Sequence, residues 1–198
     1  MLAHVSKISK TNSGILRRQI YFLGTRDIER LLEQPLNINP KFSAKGGSAS
    51  GREIRNSKEG HIIILRDKAL LELLCSTGLR VSELVNLKIV DVNLKRDEFI
   101  VREKSGKART VPLLNQARYW LAKYLAARVD MSSFLFVRHD RAAQELGIKN
   151  HELRNSLKPL TPRSVQRLVE KYTRAAGIME NVTPKIVRHS YRQLTISH

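Results

Sequence analysis

Three short segments of this chain set cationic side chains beside structural turns, and the chemistry that arrangement suits is the handling of a phosphate. In TGLRVSEL, Thr77–Leu84, Arg80 follows the glycine that ends one expected helix and opens the next. Its planar fork of donors matches a phosphate, and the first turn of the new helix offers unpaired backbone N–H groups to the same anion. Glu83, one turn on, either orients that guanidinium or caps the helix. In REKSGKARTVPL, Arg102–Leu113, the basic residues Arg102, Lys104, Lys107 and Arg109 crowd one tight hairpin. A lysine at such a tip is a compact, movable cation that can enter a groove, or donate a proton if its pKa is depressed. In TPKIVRHS, Thr183–Ser190, Lys185 and Arg188 share a helix face by i,i+3 spacing. Two such cations repel by roughly a few tenths of a kcal/mol unless an anion lies between them. His189 taken alone reads as a hydrogen-bonded structural histidine. Taken alone, the first two segments read as solvated surface charge, and the third as a basic helix that touches a DNA backbone without chemistry.

The elements that must hold these segments follow from periodicity. Thr25 precedes an acidic first turn and apolar Ile28, Leu31 and Leu32, a short amphipathic helix that Pro35 is expected to stop. Residues 36–60, with KGGSASG at Lys45–Gly51, read as a flexible insertion; no GK[ST] context supports a phosphate loop there. Leu65, Ala69, Leu70, Leu73 and Leu74 recur at helical spacing in the most apolar stretch, a core helix that Gly78 ends. VSELVNL then predicts a second short helix. DEFIVRE and ARTVPL are β-rich runs joined by Lys104–Lys107, a hairpin. Residues 115–129 predict a helix with Ala117, Trp120, Leu121, Tyr124 and Leu125 on one face, and Phe134–Val137 a short strand. Thr161-Pro162 and Thr183-Pro184 each open a further helix with proline at its first position, and Gly177 closes the former. No internal repeat is detectable. The order is an α+β pattern, which carries no function of its own.

Composition narrows the partner. The 198 residues carry 36 Lys+Arg against 18 Asp+Glu, a formal charge of +18. The excess is spread through the chain, with 11 basic and 5 acidic groups in residues 1–60, 13 and 8 in 61–130, and 12 and 5 in 131–198. A positive field distributed over a folded body suits a protein that lies along a polyanion, so nucleic acid is the expected partner. No apolar run approaches the roughly 18 residues of a membrane span, and Met1–Lys10 is too polar for a signal peptide, so an intracellular protein is expected. A single cysteine, Cys75, excludes an internal disulfide and a multi-cysteine zinc site. Its apolar surroundings make it a small buried residue.

Taken together, TGLRVSEL, the K-x-G-K-x-R-x-V-P-L hairpin and the R-H-S-[FY] segment resemble, in order and spacing, the catalytic domain of the tyrosine recombinases, the Xer, phage-integrase and transposon-integrase family. The resemblance runs from about Leu23 to the end. It implies a mainly helical domain with a small three-stranded antiparallel sheet that closes on one side of a duplex. Arg80 matches the first catalytic arginine, Glu83 its supporting acid, Lys104 the lysine that protonates the leaving 5′ oxygen, Arg188 the second arginine and His189 the structural histidine after it. Lys185 stands where most members have histidine; it can still donate a hydrogen bond to a phosphate oxygen, but acid–base shuttling there is in question. The chemistry so implied needs no metal and no nucleotide cofactor. Arginines neutralise the scissile phosphate while a tyrosine attacks to give a 3′-phosphotyrosyl bond. Lys107, Arg109, Arg163, Ser164 and Arg167 are expected phosphate contacts, with base reading open to the last three.

In the family a further His or Trp and then the nucleophilic tyrosine follow the second arginine by more than the ten residues left after Arg188. Tyr21, Tyr119, Tyr124, Tyr172 and Tyr191 all lie in other contexts. The expectation is therefore a basic arm at 1–22 and a catalytic domain at 23–198 that is incomplete at its C-terminus and without its amino-terminal core-binding domain. Such a fragment would be deficient in cleavage. The family works as a tetramer on two duplexes, whereas the fragment alone is expected to be monomeric and to act in the cytoplasm at the nucleoid. A naturally shortened DNA-binding module that occupies recombination sites and regulates full-length recombinases is the alternative. A topoisomerase of like chemistry is disfavoured by TGLRVSEL and VPL.

Overall fold

The structure, a computed structural model, describes residues 22–37, 58–102, 106–139 and 157–196, in the last case without side chains beyond Ser190. The expected arm and most of the expected insertion lie outside them. Helix α1 spans Thr25–Asn37, α2 Lys58–Thr77 and α3 Val81–Asn86; strands β1, Glu98–Arg102, and β2, Ala108–Pro112, follow; then α4, Asn115–Ala127, α5, Pro162–Ala175, and α6, Pro184–Ile196.

Helix α2 is the axis of the core. Ala69, Leu70, Leu71, Leu73 and Leu74 are all fully buried. The run is unbroken from Asp67 to Ser76, almost three turns at 100° per residue, so this part of the helix must be covered all round. Helix α4 supplies the largest cover, with α1, α6 and β2 completing it. The polar residues of α2 are matched rather than exposed. Lys68 Nζ lies 2.7 Å from Glu72, and it also donates to the Leu32 carbonyl of α1 at 2.8 Å. Arg66 donates to one oxygen of Asp67 at 2.7 Å, while the Tyr172 hydroxyl of α5 donates to the other at 2.8 Å. Cys75 is buried in the same helix, and burial pushes its thiol pKa up, as expected of an inert packing residue.

Helix α1 begins where the Gly24 carbonyl accepts the N–H groups of Asp27 and Ile28. It does not stop at Pro35 but runs two residues beyond it. Proline there deletes one bond, to the Leu31 carbonyl, and its ring is buried, so a last turn tolerates what a helix interior would not. With α1 reaching Asn37 and α2 starting at Lys58, helices take in both margins of the 36–60 segment.

The sheet has two strands among the described residues, not three. They pair antiparallel with Phe99 opposite Val111, Ile100 opposite Thr110 and Val101 opposite Arg109. The expected strand at Phe134–Val137 forms isolated bridges instead, Lys88 to Phe134 and Val137 to Pro159. Pairing stops at Lys88 because residues 89–91 turn at once into a 3₁₀ turn, held by the Asp91 carboxylate accepting from the Lys88 N–H at 2.8 Å. The segment still fills the core, with Leu135, Phe136 and Val137 fully buried. Helix α5 starts as its sequence requires, the Thr161 hydroxyl accepting from the Ser164 N–H at 3.1 Å, and the chain leaves it through Gly177 at φ 69°.

Tyr172→Phe deletes the donor to Asp67 and leaves a buried carboxylate oxygen short of a partner. A loss of about 1–2 kcal/mol is expected, read as a lower urea midpoint with an unchanged slope. An unmoved midpoint would show that the bond contributes nothing.

Candidate active site

The first basic segment is built by the end of α2. The Thr77 hydroxyl donates to the Leu73 carbonyl at 2.5 Å, Gly78 takes φ 59°, and Leu79 is fully buried, which throws the next residue outward. Arg80 therefore stands in the N-cap position of α3, in extended conformation. An arginine carries no acceptor and cannot cap in the usual way. Glu83 makes the reach-back bond, accepting from the Arg80 N–H at 2.7 Å, as the acidic member of a capping box does.

That carboxylate holds two guanidinium groups as well. Arg80 Nη1 donates to one oxygen at 3.0 Å and Arg109 Nη2 to the other at 2.8 Å. The Glu83 side chain is only 7% exposed, against 54% for Arg80 and 34% for Arg109. Burial alone would raise its pKa, but the backbone and side-chain donors of Arg80 and the charge of Arg109 outweigh this and hold it below the ordinary carboxylate range. The result is a fixed anion that fastens Arg80 while leaving that guanidinium more than half in solvent. Beside it lies a half-open groove of about 640 Å³, whose walls include Arg80, Ser82, Asn86, Lys88, Ile100 and Arg102.

The hairpin reaches this cluster by parity. Phe99, Val101 and Val111 face the core, and Arg109, two residues before Val111 and opposite Val101, faces the same way. Arg109 is thus turned inward onto Glu83, where phosphate contact was expected of it. Lys107 is exposed at the turn, next to Gly106 at φ 81°. Lys104 lies outside the described residues.

The third segment begins α6. Lys185 is exposed, Arg188 and His189 are half-buried, and Val187 and Ser190 are fully buried. Helix α6 packs along α2, the helix whose end carries Arg80, so α2 supports both groups of cations. Direct contact is described for Arg80, Glu83 and Arg109; Lys185 and Arg188 belong to the neighbouring helix. On α5, which packs against α3 and α6, Arg163 and Arg167 form an exposed i,i+4 pair. The Ser164 hydroxyl is already engaged, 2.8 Å from that of Thr161. Among the described residues no group of three or more His, Cys, Asp or Glu stands together as a metal site.

Residues 53–193 match the phage integrase family. The tyrosine recombinase XerA of Pyrococcus horikoshii is 42% identical over 128 residues, which are 64% of this chain and 40% of that one. The tyrosine recombinase XerC of Thermodesulfovibrio yellowstonii is 36% identical over 166 residues, 83% of this chain and 49% of that one. The chain thus spans less than half the length of these curated relatives. Among solved structures, that of a XerA recombinase superposes with a TM-score of 0.62 at 25% identity, covering 88% of this chain and 50% of that one. The XerH site-specific recombinase bound to its difH substrate gives the same TM-score at 20% identity, covering 89% of this chain and 42% of that one, a likeness of fold.

Because the Glu83 pKa is lower folded than unfolded, its contribution to stability is fully present above the unfolded carboxyl value, about 4.3, and is lost as pH falls through the folded value. The difference in unfolding free energy between the wild type and Glu83→Gln should be constant above about pH 5 and shrink below it. Parallel pH curves for the two proteins would mean that Glu83 is not ionised in the clamp.

Proposed function

This chain belongs to the phage integrase family of tyrosine recombinases, and from that premise we propose that it forms the phosphate-gripping part of a site-specific DNA recombinase. The observation that carries the reading is the buried Glu83 carboxylate fastening Arg80 at a helix N-terminus beside a groove walled by Lys88 and Arg102. Arg80 and Arg188, with Lys185, would neutralise the non-bridging oxygens of the scissile phosphate as charge develops. Lys104 would give its proton to the leaving 5′ oxygen, and His189 would support Arg188. In the reaction a tyrosine oxygen bonds to phosphorus as the 5′ oxygen departs, and the bond energy is kept in a 3′-phosphotyrosyl ester. No metal or nucleotide enters this scheme.

Three of the tyrosines are engaged elsewhere in the fold. Tyr124 is fully buried against His139, its hydroxyl 2.9 Å from Nε2, and burial pushes its pKa up to about 12. Tyr172 is committed to Asp67. Tyr119 is half-exposed on α4, edge-on to Trp120 and beneath the Lys123 ammonium. Arg163, Arg167 and Lys107 are the proposed backbone contacts on double-stranded DNA, while Arg109 acts through Glu83 on the setting of Arg80. The full reaction would take other recombinase protomers, four on two duplexes, in the cytoplasm at the nucleoid, with this chain by itself monomeric.

The 198-residue chain should bind duplex DNA with an affinity that falls steeply with salt, and Arg163→Ala or Arg167→Ala should each reduce the slope of log K against log salt by about 1. Salt-independent binding would refute the interface. On a suicide substrate the same chain should trap no covalent protein–DNA product, and a trapped band on a denaturing gel would refute the exclusion of its tyrosines.

A further inference from the structure

Helix α6 presents Lys185 and Arg188, and the residue on which its inner face rests is Ser190, fully buried. The Ser190 hydroxyl donates to the Ile186 carbonyl one turn back at 2.9 Å. It also accepts the backbone N–H of Leu23 at 2.8 Å, across 167 residues of chain. Leu23 is 2% exposed and stands directly before Gly24, whose carbonyl opens α1. One hydroxyl thus joins the segment that opens α1 to the helix that bears the second arginine.

A serine inside a helix is not there for helix stability. Its bond back to the i−4 carbonyl competes with the helical ladder and bends it, and alanine would fill the same space at less cost. What alanine cannot do is accept the Leu23 N–H, which would be left buried and short of an acceptor. The contact also has leverage. Arg188 lies two residues before Ser190, about 200° round the helix, so a small rotation of α6 about its inner contact swings the long arginine through a larger arc. Val187, fully buried, fixes the depth of the helix, but an apolar contact permits rotation that a directed hydrogen bond resists.

We propose that Ser190 is a positioning residue: its hydroxyl sets the rotation of α6 against Leu23 and thereby the place of the Arg188 guanidinium, so that a displacement of Leu23 is felt at Arg188. This inference rests on the proposed phosphate role of Arg188, and its first test is made without DNA. The Nε of Arg188 is buried, so its N–H signal is accessible to NMR. In the whole chain, Ser190→Ala should abolish slow exchange of the Leu23 amide and shift the Arg188 Nε–H resonance, while Ser190→Thr, which keeps the hydroxyl, should restore both. Val165→Ala, which hollows the fully buried side of α5, serves as the control for general loosening and should leave the Arg188 signal in place. An Arg188 signal unmoved by Ser190→Ala, or moved as much by Val165→Ala, overturns the proposal.

The second test reads the link to DNA. Ser190→Ala should weaken duplex binding about tenfold in the wild type and less than twofold in an Arg188→Ala background, since a positioning residue has nothing left to position. Equal losses in both backgrounds would make Ser190 merely structural. If Arg188→Ala leaves binding unaltered, Arg188 has no ground-state grip on DNA for Ser190 to set, and the resonance shift alone then decides whether Ser190 positions it.

Discussion

The fold depends on a helix that has no solvent side. Because α2 is buried all round from Asp67 to Ser76, four other elements must close on it, and their order around it is what brings distant parts of the sequence together. Burying Asp67, Lys68 and Glu72 in that setting would be costly were each not matched: Lys68 with Glu72, Asp67 with Arg66 and Tyr172. Such pairs add less to stability than to register. Lys68 reaches the Leu32 carbonyl of α1, and Asp67 receives its bond from α5, so each polar group fixes the axial position of a neighbouring helix that apolar packing alone would let slide.

The same logic, moved to the end of α2, produces the candidate site. Glu83 is one carboxylate asked to satisfy a backbone N–H and two guanidinium groups, and this brings three requirements to one spot: the left-handed turn at Gly78, the helix start at Arg80, and, 26 residues along the chain, the parity of β2 that turns Arg109 inward. An arginine used to grip an anion loses rotamer freedom on binding; holding it beforehand by one edge removes part of that cost. The clamp therefore explains why an exposed cation needs a buried anion behind it.

Much of this was legible in the sequence. The turn residues at Gly78 and Gly177, the proline-first helices α5 and α6, and the hairpin all stand where local chemistry required them, and the three basic segments resembled the family to which the chain belongs. What was missed was long-range. That Arg109, an expected phosphate contact, also turns inward onto Glu83 follows from its two-residue offset from inward-facing Val111, but the sequence does not show that Glu83 waits there. Pro35 reads as a stop in sequence, which shows the missing N–H but not the burial that makes the ring worth keeping. The Phe134–Val137 run looked like a strand because strand propensity reports a side chain's fit to a half-buried surface, and it cannot tell whether a partner is long enough to pair with. The Ser190–Leu23 bond had no sequence signal, being a contact between chain regions 167 residues apart.

The net charge also takes on a different meaning. Three of the basic residues, Arg66, Lys68 and Arg128, are buried and each faces an acid, Asp67, Glu72 and Asp130 respectively. Such pairs remove equal numbers of both signs, so the whole excess of +18 stays outside them. The surface is accordingly more one-sided than the composition suggests, because its cations lack the acids that the interior has taken. A polyanion approaching α5 or the hairpin meets that unbalanced field before it meets any specific contact, which favours fast, loosely oriented encounter. Orientation must then come from the few cations that are held rigidly, and among the described residues Arg80 is one that is fastened both by its backbone and by its guanidinium on a single buried carboxylate.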